Sequence, residues 1–351
     1  MTHLDVAIAG GGIIGLATAL ELAAAGRKVT VFDKGEAMSE ASRAAAGMLA
    51  GRDPENPREL RELAHLSLTL YPEFLSRVER LSGAHVPIRS TLTLQGVKHA
   101  PVDTHILSEA EIQVLAPGAD TAGWHFFLLE EQSFDAWDLA ECLPAAARAA
   151  RVELREQTPI VSIRENKSGV HLETTAGPFT AAAFLNAAGA WSPSFDPSLP
   201  VAPRKGHMLT AELPGPVQME CVLRTGNVYI VPRGQGRYTI GSTVESAGFD
   251  KEIYPDRIHG LFQRAIDLWP LLRDARIAES WTGLRPGSDD GLPILDRSGD
   301  RRWVATGHFR NGIMLAPGTA RVVSQWIQGR PPAVDLSPFR SSRFAEASVS
   351  L

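Results

Sequence analysis

The chain has 351 residues, enough for two domains of ordinary size or one with a large insertion, and its apolar share of 44% and charged share of 21% describe a globular protein with a substantial core. A formal net charge of −5 argues against nucleic acid or an anionic membrane as the main partner, while leaving arginine free to hold a small anion locally. Cys142 and Cys221 lie far apart and outside any CxxC pair, so neither a disulfide framework nor a metal site is indicated, and two thiols buried in a reducing cytosol are expected.

Residues 4–34, LDVAIAGGGIIGLATALELAAAGRKVTVFDK, read as strand, tight turn, helix and strand, with Gly26 as the helix stop. The early apolar run is cut by three glycines and has no basic segment before it, which is not the pattern of a signal peptide. No later run reaches the ~18 apolar residues of a membrane span, so a cytoplasmic protein is expected. Gly10, Gly12 and Gly15 satisfy GxGxxG: the first allows the turn, the second admits a pyrophosphate close to the backbone, and the third lets helix pack on strand. The helix N-terminus then offers free amides and partial positive charge to the phosphates. Asp33, at the end of the second strand, is placed to accept hydrogen bonds from the adenosine ribose. Dinucleotide binding is the reading that joins these features, and they leave NAD and FAD undivided.

Residues 40–51, EASRAAAGMLAG, are small enough to let backbone lie against a flat ring, with Ser42 or Arg43 available to phosphate; an alanine-rich helix is the alternative. Segment 54–82 is a helix candidate, with Asp53 as N-cap, Pro54 in the first turn and Gly83 as the stop. Short strands around TLTLQGV follow, then a helix over 108–115 opened by a capping box from Ser108 to Glu111. A helix near 135–150 leads into a β-meander over 152–192 that ends in the small-residue turn NAAGAWS. Residues 228–245, VYIVPRGQGRYTIGSTVE, read as a hairpin around Gly234 and Gly236, and a helix is expected over 255–272. A last helix is expected to start near Ala316. In GHFRNGIMLAPG, residues 307–318, Arg310 faces three choices: solvent, a protein carboxylate, or an anionic ligand.

GGGIIG, AAAGML at 44–49, NAAGAWS at 186–192, GLRPGSDDGLPILD at 283–296 and GHFRNGIMLAPGTA at 307–320 together resemble the D-amino-acid oxidase superfamily of FAD enzymes, and within it the glycine oxidase branch of bacterial thiamine biosynthesis. The resemblance runs in order over almost the whole chain. It implies an α/β fold: a Rossmann-like FAD-binding domain made of 1–85, 133–200 and 278–351, with a discontinuous α+β substrate domain of 86–132 and 201–277 built on an antiparallel sheet. It also implies noncovalent FAD, a small amino acid as substrate, dioxygen as electron acceptor, and a chain able to form a homo-oligomer.

The same resemblance assigns the substrate carboxylate to Arg285 and Tyr229, with Arg310 near it and against the flavin. An ion pair with Asp289 or Asp290 is the alternative for Arg285. FAD contacts are implied for Gly10, Gly12, Ile13, Ile14, Gly15, Asp33 and Lys34; for Ala41, Ser42, Ala46, Gly47 and Met48; for Val161 and Gly189; and for His308, Phe309, Arg310, Asn311, Gly312, Ile313 and Met314. Ala50 and Val244 are expected to border the pocket. His308 lacks an orienting carboxylate nearby in sequence, so no general base is assigned. Sarcosine oxidase and a D-amino-acid dehydrogenase are the nearest alternatives, and a tRNA-modifying or non-catalytic flavin domain is one from another class. No HExxH, GxSxG or P-loop pattern offers a competing chemistry.

Overall fold

The computed structural model describes residues 2–215 and 219–345; Met1, residues 216–218 and residues 346–351 of the expected domain segments lie outside the described residues. Two large sheets organise the chain. The first has eight strands, in the order Ile294–Arg297, Arg302–Thr306, Gly177–Asn186, Thr2–Ala9, Val29–Phe32 and Glu153–Arg155, with Gly169–Thr174 and Ile160–Asn166 continuing off Gly177–Asn186. Strand Thr2–Ala9 pairs in parallel with both Gly177–Asn186 and Val29–Phe32. Helix Ile13–Ala24 supplies the crossover from Thr2–Ala9 to Val29–Phe32 and is buried over most of its length, as a βαβ unit requires.

The second sheet has seven strands, in the order Arg276–Ser288, Val201–Glu212, Arg237–Gly241, Tyr229–Gly234, Val222–Arg224, Thr93–Val97 and His125–Leu129. It is antiparallel except where Val222–Arg224 meets Thr93–Val97. Strand Arg276–Ser288 runs along Val201–Glu212 as far as Ser288, so the chain rejoins the first sheet only at Ile294, later than the residue 278 at which the sequence reading placed its return. Each sheet has its own apolar cluster, one around Ile8, Leu16 and Leu185 and one around Leu209, Ile230 and Trp269.

Several elements form as local chemistry dictates. Ser108 caps helix Glu109–Leu115 in a reciprocal capping box with Glu111, Asp135 caps helix Ala136–Ala149, and Gly83 ends helix Arg61–Ser82 at φ +75°. Other boundaries move. The expected helix over 54–82 starts as a 3₁₀ turn at Arg58–Leu60 and becomes α-helical only at Arg61, because Pro57 biases the residue before it away from helix and Asp53 accepts the Glu55 N–H in a local turn (2.9 Å) rather than capping. The helix over 255–272 ends at Leu268, ahead of Pro270. The last helix begins at Gly312 rather than Ala316, because the 3₁₀ turn Phe309–Asn311 leads directly into it.

Helix Gly312–Ile327 packs on helix Arg61–Ser82, where Ser67 Oγ donates to the Met314 carbonyl (2.7 Å) and Tyr71 donates to the Ile313 carbonyl (2.5 Å). A Cβ on Gly318 would lie 2.8 Å from the Ser67 Cβ and 2.9 Å from the Leu63 oxygen. Gly318→Ala is therefore expected to destabilise the protein by ~1–3 kcal/mol through overpacking. In urea unfolding the midpoint should fall with the slope unchanged; an unchanged midpoint would show that the two helices can separate freely.

Candidate active site

The first wall of the site is the turn after strand Thr2–Ala9. Gly10 sits at φ +105°, where a Cβ would fall 2.3 Å from the Ala187 oxygen, so only glycine lets this turn meet the end of strand Gly177–Asn186. A Cβ on Gly15 would lie 2.0 Å from the Gly10 oxygen, which places Gly15 in helix–strand packing rather than on the cavity surface. Gly12 is the N-cap of helix Ile13–Ala24 and brings no side-chain cap; the Ile13 N–H donates to Ser42 Oγ (3.0 Å). Asp33 is held rigid by the Gly11 N–H (2.7 Å) and the Gly35 N–H (2.8 Å). Lys34 stands 3.3 Å over the Trp191 ring centroid, and desolvation lowers its pKa.

A cavity of about 740 Å³ opens from this turn and is lined by residues of both sheets. Gly10, Gly12, Ile13, Ile14, Asp33, Lys34, Ala41, Ser42, Ala46, Gly47, Met48 and Gly189 line it, as do His308 through Ile313. The chain leaves the helix after a single turn at Ala41–Ala44, not a long alanine helix. Trp281 Nε1 donates to the Ala44 carbonyl (3.1 Å), and Arg233 Nη2 to the Ala46 carbonyl (2.8 Å). Gly47, at φ +71°, presses so close to Phe134 that a Cβ would sit 2.0 Å from its oxygen.

Besides Gly15, two expected contacts fall elsewhere. Val161 is 71% exposed and outside the cavity, while its neighbour Ile160 lines it with Pro159; the pairing register shifts between Ile160 and Ser162, which turns Val161 outward. Met314 is buried in the helix packing behind the wall. Ala50 and Val244 do border the cavity, together with Asp53, Glu55, Gln95, Arg224 and Ser242, which the sequence reading did not assign to the site. A signal for Arg224 existed in LRTGNVYIVPR, whose alternation across a short turn puts Arg224 and Tyr229 opposite one another.

Arg285 and Tyr229 project from the same face of the second sheet. Strand register pairs Gly206 with Gly283, two residues from Arg285, and pairs Met208 with Gly241 and Gly241 with Tyr229. A Cβ on Gly206 would lie 2.1 Å from Arg285 Nη1, and one on Gly241 would lie 2.2 Å from the Tyr229 hydroxyl oxygen, so both side chains lie flat on bare backbone. Arg285 Nη2 donates to Ser242 Oγ (2.7 Å) and Nη1 to the Thr243 carbonyl (3.2 Å). Asp290 is taken by Arg343 (2.6 Å), and among the described residues no carboxylate pairs with Arg285. The Arg285 charge therefore faces the cavity with neutral partners only.

Arg310 resolves the other way. Its Nη1 meets Glu55 Oε2 at 2.6 Å and its Nη2 lies 3.6 Å from Asp53 Oδ2, on the cavity wall. His308 is 2% exposed, its Nε2 is 3.1 Å from Thr319 Oγ1, and burial pushes its pKa down to about 3. It is neutral at physiological pH and a poor proton acceptor there.

The family described as "DAO: FAD dependent oxidoreductase" matches residues 5–326. The chain belongs to this family. A glycine oxidase of Geobacillus kaustophilus is 33% identical, over 98% of this chain and 98% of that one. A bifunctional ThiO/ThiG protein of Trichormus variabilis is 37% identical over 97% of this chain, which spans 55% of that longer protein. The crystal structure of the Geobacillus kaustophilus glycine oxidase superposes with a TM-score of 0.91 at 32% identity, covering 98% of this chain and 99% of that one. Membership makes FAD the cofactor and the chain an FAD-dependent oxidoreductase with the mixed α/β fold described above. The glycine turn and the helix start, where Gly12 brings no side-chain cap, offer N–H donors to a dinucleotide pyrophosphate, and the fixed Asp33 carboxylate offers an acceptor to its ribose. No helix among the described residues is long and apolar enough to cross a membrane.

The buried His308 couples stability to pH. Its folded pKa lies near 3 and its unfolded value near 6.5, so below 6.5 the unfolded chain binds the extra proton and stability falls with falling pH. Relative to His308→Gln, the wild-type protein is expected to lose about 1.6 kcal/mol between pH 6.5 and pH 5, the slope rising toward roughly 1.4 kcal/mol per pH unit at the lower end. Urea unfolding of both proteins across that interval measures it, and parallel stability curves would contradict a neutral buried imidazole.

Proposed function

We propose that this oxidoreductase oxidatively deaminates glycine and other small amino acids. The observation that carries this reading is Arg285: a cavity-lining guanidinium with only neutral hydrogen-bond partners, beside Tyr229 and in the same cavity as the dinucleotide turn. A bidentate guanidinium–carboxylate contact fixes both the position and the plane of an amino acid. Tyr229, whose hydroxyl among the described residues has only the Met208 sulfur as a partner at 3.7 Å, adds a second donor to the same carboxylate. Bound FAD supplies the hydride acceptor for the C–H bond at the α carbon. His308, held neutral by burial, adds no charge beside the zwitterion. The start of helix Gly312–Ile327 aims its positive end at the same wall, where it favours developing negative charge.

The substrate loses two electrons and two protons to become an imine, and water converts the imine to an oxo acid and ammonia. For glycine the oxo acid is glyoxylate. Dioxygen as the reoxidant would take up the same electrons and protons as hydrogen peroxide. The names of the relatives favour a role in thiamine biosynthesis, where the imine itself is the useful product. Neither Cys142 nor Cys221 lines the cavity, in keeping with FAD held without a thioether bond. The labour divides between the sheets: the first holds the nucleotide, and the second presents Arg285 and Tyr229.

Anaerobic addition of glycine, sarcosine or D-alanine to the yellow protein should bleach the flavin, and an unchanged spectrum with all three would refute the reading. Arg285→Ala is expected to abolish bleaching at substrate concentrations that saturate the wild type while FAD stays bound. Loss of the flavin from that variant would instead make Arg285 a cofactor ligand. Tyr229→Phe should raise KM about tenfold, as loss of one hydrogen bond to a charged group predicts.

A further inference from the structure

The segment that holds Arg285 is itself gripped from behind. Strands Arg276–Ser288 and Arg237–Gly241 flank Val201–Glu212, so the Arg285 side chain crosses the middle strand over Gly206 to reach Ser242 and Thr243. Both acceptors for its guanidinium fork come from two consecutive residues just past a strand end. The ladder stops at the pair Met208 and Gly241, and the chain rejoins the middle strand at Glu245, which exchanges backbone bonds with Lys205 (2.8 and 2.9 Å). Between these points one backbone bond, from the Thr243 N–H to the His207 carbonyl at 3.4 Å, ties the segment to that strand among the described residues. Side chains supply the rest of the hold.

Alternation along Val201–Glu212 puts those side chains on the far face of the sheet. Gly206 and Met208 line the cavity, whereas Lys205 and His207 do not and are fully buried. The His207 backbone N–H donates to Thr243 Oγ1 (2.9 Å), which in turn donates to Glu245 Oε1 (2.7 Å). On the ring, Nε2 accepts the Tyr254 N–H (3.2 Å), which leaves the proton on Nδ1. Nδ1 lies 3.1 Å from Thr243 Oγ1 and 3.0 Å from Glu245 Oε1, so its N–H serves both. Arg257 Nε approaches the other Glu245 oxygen at 3.3 Å. One dipeptide is thus clasped on two faces: Arg285 meets it from the cavity side, and His207 with Glu245 fixes Thr243 from the other.

We propose that His207 is a positioning residue for the substrate carboxylate: its Nδ1–H, with Glu245, holds Thr243 where the Thr243 carbonyl and the Ser242 hydroxyl orient the Arg285 fork. A planar fork grips a carboxylate well in one orientation, and a small misplacement costs affinity out of proportion to its size. His207 acts only through Thr243, since it lines no part of the cavity. The inference rests on the reading above of Arg285 as the carboxylate-binding group.

The test uses the FAD-loaded protein and two pairs of variants. A side-chain amide at the Nδ1 position is kept in His207→Asn, whereas His207→Gln reproduces only the Nε2 position and loses the donor to Thr243 and Glu245. Thr243→Ser keeps the hydroxyl and Thr243→Val removes it, with the backbone carbonyl present in both. The first readout is KM and kcat for whichever of glycine, sarcosine and D-alanine the wild type oxidises best. The second is the affinity for acetate, read from the flavin absorbance. His207→Gln and Thr243→Val should raise KM and weaken acetate binding about tenfold with kcat within about threefold, while His207→Asn and Thr243→Ser stay within about threefold of wild type throughout. A merely structural role would lower kcat through the active fraction and leave KM alone. The His207 pair decides, and if either member fails to fold the Thr243 pair decides in its place: equal effects within the pair, or a loss confined to kcat, would overturn the inference. If the wild type oxidises no amine but acetate binding weakens only in the variants lacking the donor or hydroxyl, the positioning role stands and the amine-oxidation reading fails. If the amine is oxidised with both members of the deciding pair alike, the reverse holds. A wild type that neither oxidises an amine nor binds acetate refutes both.

Discussion

Arg285 lies across the bare backbone of Gly206 with no carboxylate among the described residues to neutralise it, and the rest of the site is arranged around that charge. A cation in a partly buried position costs free energy unless water or an anion meets it. Here Ser242 and the Thr243 carbonyl fix the guanidinium without cancelling its charge, which preserves its pull on a ligand. Glycines at 206 and 241 allow the flat placement of Arg285 and Tyr229, and the sheet register brings the two to one face. Substitution at either glycine would lift the side chain above it and change where a carboxylate can rest.

The contrast with Arg310 shows how context sets the role of a residue type. Arg310 stands in the same cavity wall, yet Glu55 and Asp53 satisfy it within the protein. An arginine so paired shapes the wall and gives up most of its attraction for an external anion. Arg224 falls between the two, with counter-charges at hand but outer N–H groups unused. Arg285 and Arg310 therefore present different faces to one cavity, while the Arg224 Nη atoms lie beneath its surface. His308 adds a polar group that burial keeps neutral, so positive charge on the wall comes from the arginines and Lys34.

The nucleotide half depends on close approach rather than charge. Gly10 and Gly15 let strand, turn and helix come within distances that any side chain would forbid, and Gly47 does the same against Phe134. Arg233 and Trp281 then tether the 44–48 segment by its carbonyls, which joins the second sheet to the wall against which a flat ring would lie. These tethers join the two sheets around the cavity.

Spacing along the chain carried the parts that local chemistry controls: the glycine turn with Asp33, the capping box at Ser108, the stop at Gly83 and the hairpin at Gly234 and Gly236. Each depends on a few neighbouring residues whose preferences are intrinsic. A register shift next to Ile160, the delayed start of helix Arg61–Ser82, the partner chosen by Arg310 and the burial of Met314 were not legible in that way. They arise from contacts between segments tens to hundreds of residues apart, where a bulge or a neighbouring carboxylate decides which way a side chain faces. The sequence by itself determined which residues could bind a dinucleotide and a carboxylate, because those abilities belong to backbone freedom and side-chain chemistry. Only the tertiary structure decided which arginine remained uncompensated, because that depends on where every acidic group comes to rest.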